Sequence, residues 1–276
     1  MGERIRVLIV DDSAFFRRRI REHLETTSEV LVAGEATNGR EAVEMSARLA
    51  PDLITMDVAM PEMDGISAVR EIMRSQPTDI LMISSLTREG ARATLDALDA
   101  GAVDFLSKQD CMNAEPRDGS AQTLGGRVLD IVRRRRGRRS MRPVVATPTP
   151  RAAEAVTATR QALKLVAIGA STGGPVAVQM VLAELPPEFP YPLVVAVHMP
   201  AEFTATFAER LDSVCRIKVT LAKDGALLQP GSALIAPGGQ QTLVEQRRGE
   251  LVTVIRPGGD QLYKPSVDIL FGSAAR

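Results

Sequence analysis

Tryptophan is absent, aromatic residues make up 3% of the chain, and histidine and cysteine each occur only twice. So few aromatics argue against a base-stacking platform for single-stranded nucleic acid. Charge of one sign is missing too: 34 Lys+Arg balance 34 Asp+Glu, leaving no global field to recruit nucleic acid or a membrane surface. Cys111 and Cys215 stand alone, with no C-x-x-C, so neither a disulfide framework nor a zinc cluster is expected and a reducing compartment fits. Long apolar runs are lacking as well. The N-terminal MGERIRVLIVDD holds too short a run for a signal peptide, and no stretch approaches the roughly 20 residues of a membrane span. These absences together predict a cytoplasmic protein with no direct membrane insertion and no nucleic-acid partner.

What is present is ordinary globular composition in a chain of 276 residues, 45% hydrophobic and 25% charged, long enough for about two domains. Apolar runs at 5–10, 30–36, 52–57, 79–84 and 103–107 alternate with amphipathic stretches of helical length, the pattern of βα units building a parallel sheet. The pattern lapses near residue 111. One more helix is expected in AQTLGGRVLDIVRRRR, followed by a linker rich in Pro, Thr and Ala, and α/β order resumes at Leu163. The expected class is therefore α/β, with two doubly wound parallel-sheet domains: residues 1–110, a last helix and linker over 111–162, and residues 163–276. The arginine run at 133–139 reads as a complement to the helix dipole that keeps the linker solvated. A grip on nucleic acid or acidic lipid is its rival reading.

Three carboxylates fall at strand ends in the first half: Asp11 and Asp12 after the first strand and Asp57 after the third. Brought to one sheet edge they repel one another, and a hard divalent ion with oxygen ligands, Mg²⁺, suits them. Ser84 ends the fourth strand and Lys108 follows the fifth. Together the five make a site for a phosphoryl group carried on a carboxylate, with Lys108 neutralising its oxygens and Ser84 donating a hydrogen bond. Any one of these aspartates alone would read as a helix N-cap.

In the second half, LVAIGASTGGP at 165–175 runs an apolar strand into a serine framed by glycines. Gly169-Ala170-Ser171-Thr172-Gly173 fits the G-x-S-x-G elbow, in which a tight strand-to-helix turn lifts a hydroxyl above a sheet. Pro175 suits the first helical turn, and the N–H groups of Thr172, Gly173 and Gly174 are candidate oxyanion donors. Taken alone, five residues equally fit a phosphate-binding or a structural glycine-rich turn. Ser171 needs a base, and of the two histidines His23 lies on an early helix whereas His198 ends the next strand, PLVVAVH. Successive parallel strands carry their C-terminal ends to one edge, so Ser171 and His198 can face each other there. A histidine at a strand end that only hydrogen-bonds a loop is the structural alternative.

VDDS at 10–13, MDVAMPEMDG at 56–65, SSLT at 84–87 and DFLSK at 104–108 closely resemble the receiver domain of bacterial response regulators. The resemblance implies a flavodoxin-like fold, with Asp57 as acceptor of a phosphoryl group from a chemotaxis-type histidine kinase. It assigns Mg²⁺ to Asp11, Asp12, Asp57 and the carbonyl of Ala59, and a switch to Ser84, Phe105 and Lys108. The proline usual after the lysine is Gln109 here.

IGASTGGP at 168–175, VHMPAEFTATFAERL at 197–211, IAPGG at 235–239 and KPSVDILFGSAA at 264–275 resemble the catalytic domain of chemotaxis protein-glutamate methylesterases of the CheB type. That resemblance implies hydrolysis of glutamate γ-methyl esters on methyl-accepting chemoreceptors and deamidation of certain receptor glutamines. Ser171 would be the nucleophile and His198 its base, no cofactor would be needed in the esterase domain, and the receiver would cover the site until Asp57 is phosphorylated. The family's orienting aspartate lies in a GMGxDG segment that does not occur up to Arg276. The esterase domain is thus expected to be incomplete at its C-terminus, and this chain to show little esterase activity. Asp268 reads as a charge at a helix start, Asp260 and Asp224 as loop residues, and Gln241 stands where many relatives carry a histidine. Rival readings are a phosphate sink with a vestigial output domain, a general α/β-hydrolase, and a DNA-binding regulator. The last two are weak, because the histidine comes too early for that hydrolase order and no basic recognition helix is seen.

Overall fold

A computed structural model of the chain describes residues 4–112, 123–140 and 164–276. The expected linker falls largely in 141–163, outside the described residues. The first half is built of β1 (Ile5–Val10), α1 (Ala14–Glu25), β2 (Val30–Ala36), α2 (Gly39–Leu49), β3 (Leu53–Asp57), α3 (Gly65–Ser75), β4 (Asp79–Ser84), α4 (Arg88–Asp99), β5 (Asp104–Ser107) and a short α5 (Lys108–Met112). Its five strands form one parallel sheet in the order β2-β1-β3-β4-β5, the doubly wound order whose strand C-termini open into a crevice. Every residue of β3 is buried, as expected of a central strand covered by helices on both faces. Helix starts follow from local chemistry. Asn38, Asp64 and Thr87 accept hydrogen bonds from the N–H groups of Glu41, Ser67 and Gly90 at 2.9, 2.7 and 3.0 Å, satisfying donors that a helix leaves unpaired.

The second half begins after α6 (Leu124–Ser140) and comprises β6 (Val166–Ala170), α7 (Gly174–Ala183), β7 (Leu193–Val197), α8 (Ala201–Val214), β8 (Lys218–Leu221), β9 (Ser232–Ile235), β10 (Gln240–Arg247), β11 (Glu250–Pro257) and α9 (Val267–Ala274). Four strands make a parallel sheet in the order β6-β7-β9-β8. Beyond the expected parallel sheet, β10 and β11 pair antiparallel through a two-residue turn. Arg248 and Gly249 both have positive φ there, 53° and 89°, the backbone that matches the twist of a tight hairpin.

The halves pack together. Phe105 of β5 stacks on Phe203 of α8 with ring centroids 4.4 Å apart and planes 10° from parallel, and one buried apolar cluster runs through both sheets. Around this stack α4 and α8 exchange charge: Arg88 with Glu209 at 2.6 Å, Arg210 with Asp96 at 2.7 Å and with Asp99. Exposed pairs of this kind contribute at most about 1 kcal/mol each. Full burial of one phenylalanine is worth about 1.5–3 kcal/mol, so the apolar contact dominates. Helix α6 lies against the first sheet and its arginines are not merely solvated. Arg133 meets Glu29 at 2.7 Å, Arg135 meets Asp79 at 3.6 Å, and Arg136 meets Asp52 at 3.5 Å. The sequence reading treated the run as free charge because those carboxylates are distant in the chain.

Gly65 shows how closely one helix must approach the acidic edge. Its N–H donates to the Val58 carbonyl at 2.9 Å, and a Cβ would overlap the Asp57 carbonyl oxygen. Gly65→Ala is therefore expected to destabilise the chain by about 1–3 kcal/mol, read as a lowered urea midpoint. An unchanged midpoint would show that α3 can back away from β3.

Candidate functional site

Parallel register assembles the first site. Asp11 follows β1, Asp57 ends β3 and Lys108 follows β5, so all three emerge at the same edge. Carboxylate oxygens of Asp11, Asp12 and Asp57 lie within 4.8 Å of one another, Asp12 being exposed and the other two buried. Lys108 Nζ stands between two of them, 2.7 Å from Asp57 Oδ2 and 3.0 Å from Asp11 Oδ2, and 4.3 Å above the Phe16 ring. Burial pushes the Asp57 carboxyl above the usual aspartate range, the Lys108 hydrogen bond opposes this, and Asp11 reinforces it. Burial pulls the Lys108 ammonium down, but Asp57 and Asp11 outweigh it and the net shift is upward. An all-oxygen, multiply anionic donor set with one exposed member fits a hard divalent cation. Ala59, exposed in the bend just after β3, offers a backbone carbonyl nearby in sequence. Ser84 is fully buried, and its hydroxyl donates to the carbonyls of Gly90 and Ser85 at 3.3 and 3.4 Å.

The second site also follows from register. Ala170 of β6 is paired with Val197 of β7, so Ser171 and His198, each one residue further on, leave the sheet side by side. The His198 N–H donates to the Ala170 carbonyl at 3.2 Å, and His198 Nδ1 lies 3.2 Å from Ser171 Oγ. After Ser171 the chain turns sharply. Gly173 takes a left-handed φ of 71° as the cap of α7, Gly174 N–H donates to Ser171 O, and Pro175 occupies the first turn. Burial first, and the charge of Arg127 second, lower the His198 pKa below that of an ordinary imidazole. His198 Nε2 is buried without a hydrogen-bond partner among the described residues. The Asp224 carboxylate accepts from Ile255 N–H, and Asp268 sits in the first turn of α9.

Four residues that the sequence does not assign to this site touch it. Arg127 of α6 bonds both Asp104 Oδ2 at 2.9 Å and Thr172 Oγ1 at 2.8 Å, and Arg134 donates to Thr172 O at 2.9 Å. Asp104 is almost fully buried at the start of β5 and also accepts from Gly173 N–H. Burial raises its pKa, and Arg127 with that N–H holds it back. Tyr263 stacks on the His198 ring. Nothing in their local sequence marks them for this site, because each acts on residues at least 23 positions away or from an irregular loop. Ser171 itself remains exposed. The first half thus abuts the elbow from the side, through Thr172 and Gly173, where the sequence reading expected a cover over the serine.

No helix among the described residues is long and apolar enough to cross a membrane. A family model described as CheB methylesterase matches residues 166–276, and one described as a response regulator receiver domain matches residues 7–114. The chain is 48% identical over 302 residues to a protein-glutamate methylesterase/protein-glutamine glutaminase 1 of Vibrio cholerae, covering 99% of this chain and 80% of that protein. It is 50% identical over 301 residues to a protein of that name from Pseudomonas aeruginosa, with the same coverage. A Vibrio parahaemolyticus protein-glutamate methylesterase/protein-glutamine glutaminase is 50% identical over 292 residues, covering 99% of this chain and 79% of its own length.

The raised pKa of Asp57 carries a stability prediction. The unfolded chain ionises this carboxyl more readily than the folded one, so folding loses stability as pH rises from the ordinary aspartate value through the folded one. Asp57→Asn is expected to raise the urea midpoint at pH 7, with the gain shrinking toward acid pH. A lower midpoint at pH 7 would mean that Lys108 more than compensates the burial.

Proposed function

The chain belongs to the protein-glutamate methylesterase/protein-glutamine glutaminase family of hydrolases, and we propose that it removes γ-methyl esters from chemoreceptor glutamates and deamidates receptor glutamines under the control of a receiver phosphorylated at Asp57. The observation that carries the catalytic part is the 3.2 Å approach of His198 Nδ1 to Ser171 Oγ at register-paired strand ends. A vestigial output domain is not favoured, since identity of 48–50% extends over 99% of the chain. In this reading residues 1–110 are the receiver, 111–162 its last helix and linker, and 163–276 the catalytic domain.

For His198 to act as base, its proton resides on Nε2 and Nδ1 accepts the Ser171 proton as Oγ attacks the ester carbonyl. The developing oxyanion meets N–H groups of Thr172 and Gly173 at the start of α7, that of Gly174 being given to Ser171 O, and the helix field there also favours negative charge. The imidazolium then protonates the departing methoxide, or the amide nitrogen of a glutamine, which leaves as ammonia, and water cleaves the acyl-serine by the reverse path. With the Gly173 N–H close to Asp104 and Thr172 held by Arg127 and Arg134, the oxyanion side is engaged by the receiver and α6. This supports a restrained state that phosphorylation releases.

Asp11, Asp12, Asp57 and the Ala59 carbonyl would hold Mg²⁺, which supplies charge neutralisation for phosphoryl transfer to Asp57. Lys108 sits against Asp57 Oδ2, Ser84 at the end of β4 is the hydroxyl for the switch, and Phe105 is its aromatic member, facing Phe203. The donor is a chemotaxis-type histidine kinase, the substrates are methyl-accepting chemoreceptors, and the setting is cytoplasmic.

The test is labelling by a fluorophosphonate, paired with methanol release from methylated receptor membranes. Labelling is expected to vanish in Ser171→Ala, to rise about 5-fold or more with acetyl phosphate and Mg²⁺, and to lose that rise in Asp57→Asn. Methanol release is expected to be slow, about 10⁴-fold below a complete triad, because no carboxylate bonds His198 among the described residues. Labelling that survives Ser171→Ala would remove Ser171 from the reaction.

Acid pH should stop labelling by protonating His198. Because burial and Arg127 lower its pKa, the midpoint of that fall should lie below pH 6.5, the ordinary imidazole value. A fall centred above 6.5 would contradict His198 as a half-buried neutral base.

A further inference from the structure

The Tyr263 and His198 rings lie face to face, with centroids 4.3 Å apart and planes 8° from parallel. Tyr263 belongs to the irregular stretch between β11 and α9, and such a loop would ordinarily be a poor platform. Here it is anchored. Gln241 of β10 is 4% exposed; its Nε2 donates to the Tyr263 carbonyl at 2.8 Å, and its Oε1 accepts from Ser266 N–H at 2.7 Å. One buried amide therefore ties both the residue that stacks and the residue that caps α9. Gly239 N–H adds a bond to the Lys264 carbonyl at 3.1 Å.

His198, in contrast, has few restraints of its own. Its one side-chain hydrogen bond joins Nδ1 to an exposed hydroxyl, and Nε2 has no partner among the described residues. A rotation about χ2 would carry Nδ1 off Ser171, and a neighbouring aromatic face resists that tilt without occupying either nitrogen. The same face carries negative quadrupole density, which favours the positive charge that appears on the ring once it takes the serine proton.

We propose that Tyr263 is a positioning residue for the serine–histidine reaction: its ring, held by Gln241, fixes the plane of His198 so that Nδ1 stays aimed at Ser171 Oγ. The role belongs to the ring and not to the phenol hydroxyl. This rests on the reading of Ser171 as nucleophile and His198 as base.

The experiment uses the full chain, the fluorophosphonate probe and the imidazole resonances of a protein with only two histidines, His198→Gln supplying the assignment. Misplacing a catalytic group by about 1 Å costs on the order of 10²-fold. Tyr263→Leu, which loosens the ring without removing it, is expected to lower the maximal labelling rate about 10-fold and leave the half-saturating probe concentration unchanged. Tyr263→Phe is expected to keep the parent rate. The His198 Cε1–H resonance should lie upfield through the ring current in the parent and in Tyr263→Phe, and lose that displacement in Tyr263→Leu.

Parent-rate labelling in Tyr263→Leu would overturn the proposal, and so would a fall in Tyr263→Phe as deep as that in Tyr263→Leu. Where Tyr263→Leu fails to fold, the parent spectrum and the Tyr263→Phe rate decide: an undisplaced His198 resonance overturns the stack, and a displaced one with a parent rate supports it. Failure of the parent chain to label at Ser171 would instead remove the nucleophile reading, while the resonance still reports on the ring pair.

Discussion

Arg127 is a nearly buried guanidinium, and the two bonds of its Nη1 tie this molecule together. It draws Asp104 from the head of β5 and Thr172 from the turn after β6 onto one group. Asp104 is itself a carboxylate that burial disfavours, stabilised by that cation and by Gly173 N–H. Removing either partner leaves an unpaired charge in a low-dielectric place, where breaking a buried pair costs about 3–5 kcal/mol. Receiver strand, connecting helix and the turn after β6 are thus locked to one another by a contact that none of the three could satisfy alone.

The two sheets repeat one constraint with different chemistry. Parallel strands deliver their C-terminal residues to a common edge, and what the sequence places one position beyond each strand decides what the edge can do. Asp11, Asp57 and Lys108 meet at the first edge; Ser171 and His198 meet at the second. This is why so much was legible in one dimension. The runs read as strands at 52–57 and 103–107 form β3 (Leu53–Asp57) and β5 (Asp104–Ser107), and the other three receiver strands keep their full expected extent. Helix and turn residues such as Pro175 and Asp64 act through their own neighbours, so their roles show in short windows.

What was not legible depends on distance in sequence or on irregular backbone. The hairpin β10–β11 gives a weak signal, because QQTLVEQR and ELVTVIRP set their apolar residues in adjacent pairs, without strand alternation, around an Arg-Gly turn. Arg133, Arg135 and Arg136 looked like spare charge until Glu29, Asp79 and Asp52 were brought beside them. Tyr263 sits in a loop with no periodicity at all, and only the fold lays it on His198. Gln241 stands out in sequence for the histidine it replaces, whereas in the fold its amide donates to one end of that loop and accepts from the other.

The continuous apolar cluster that includes Phe105 and Phe203 bears on what counts as a unit of cooperativity. Sequence divides the chain at its linker, and each half carries the motifs of a different module. Melting, however, follows buried contacts and not motif boundaries. With Phe203 wholly enclosed and stacked on a receiver side chain, loosening either sheet exposes apolar surface on the other. Heat or denaturant should find one transition where the motifs would suggest two, and each half cut free would carry a patch that seeks company.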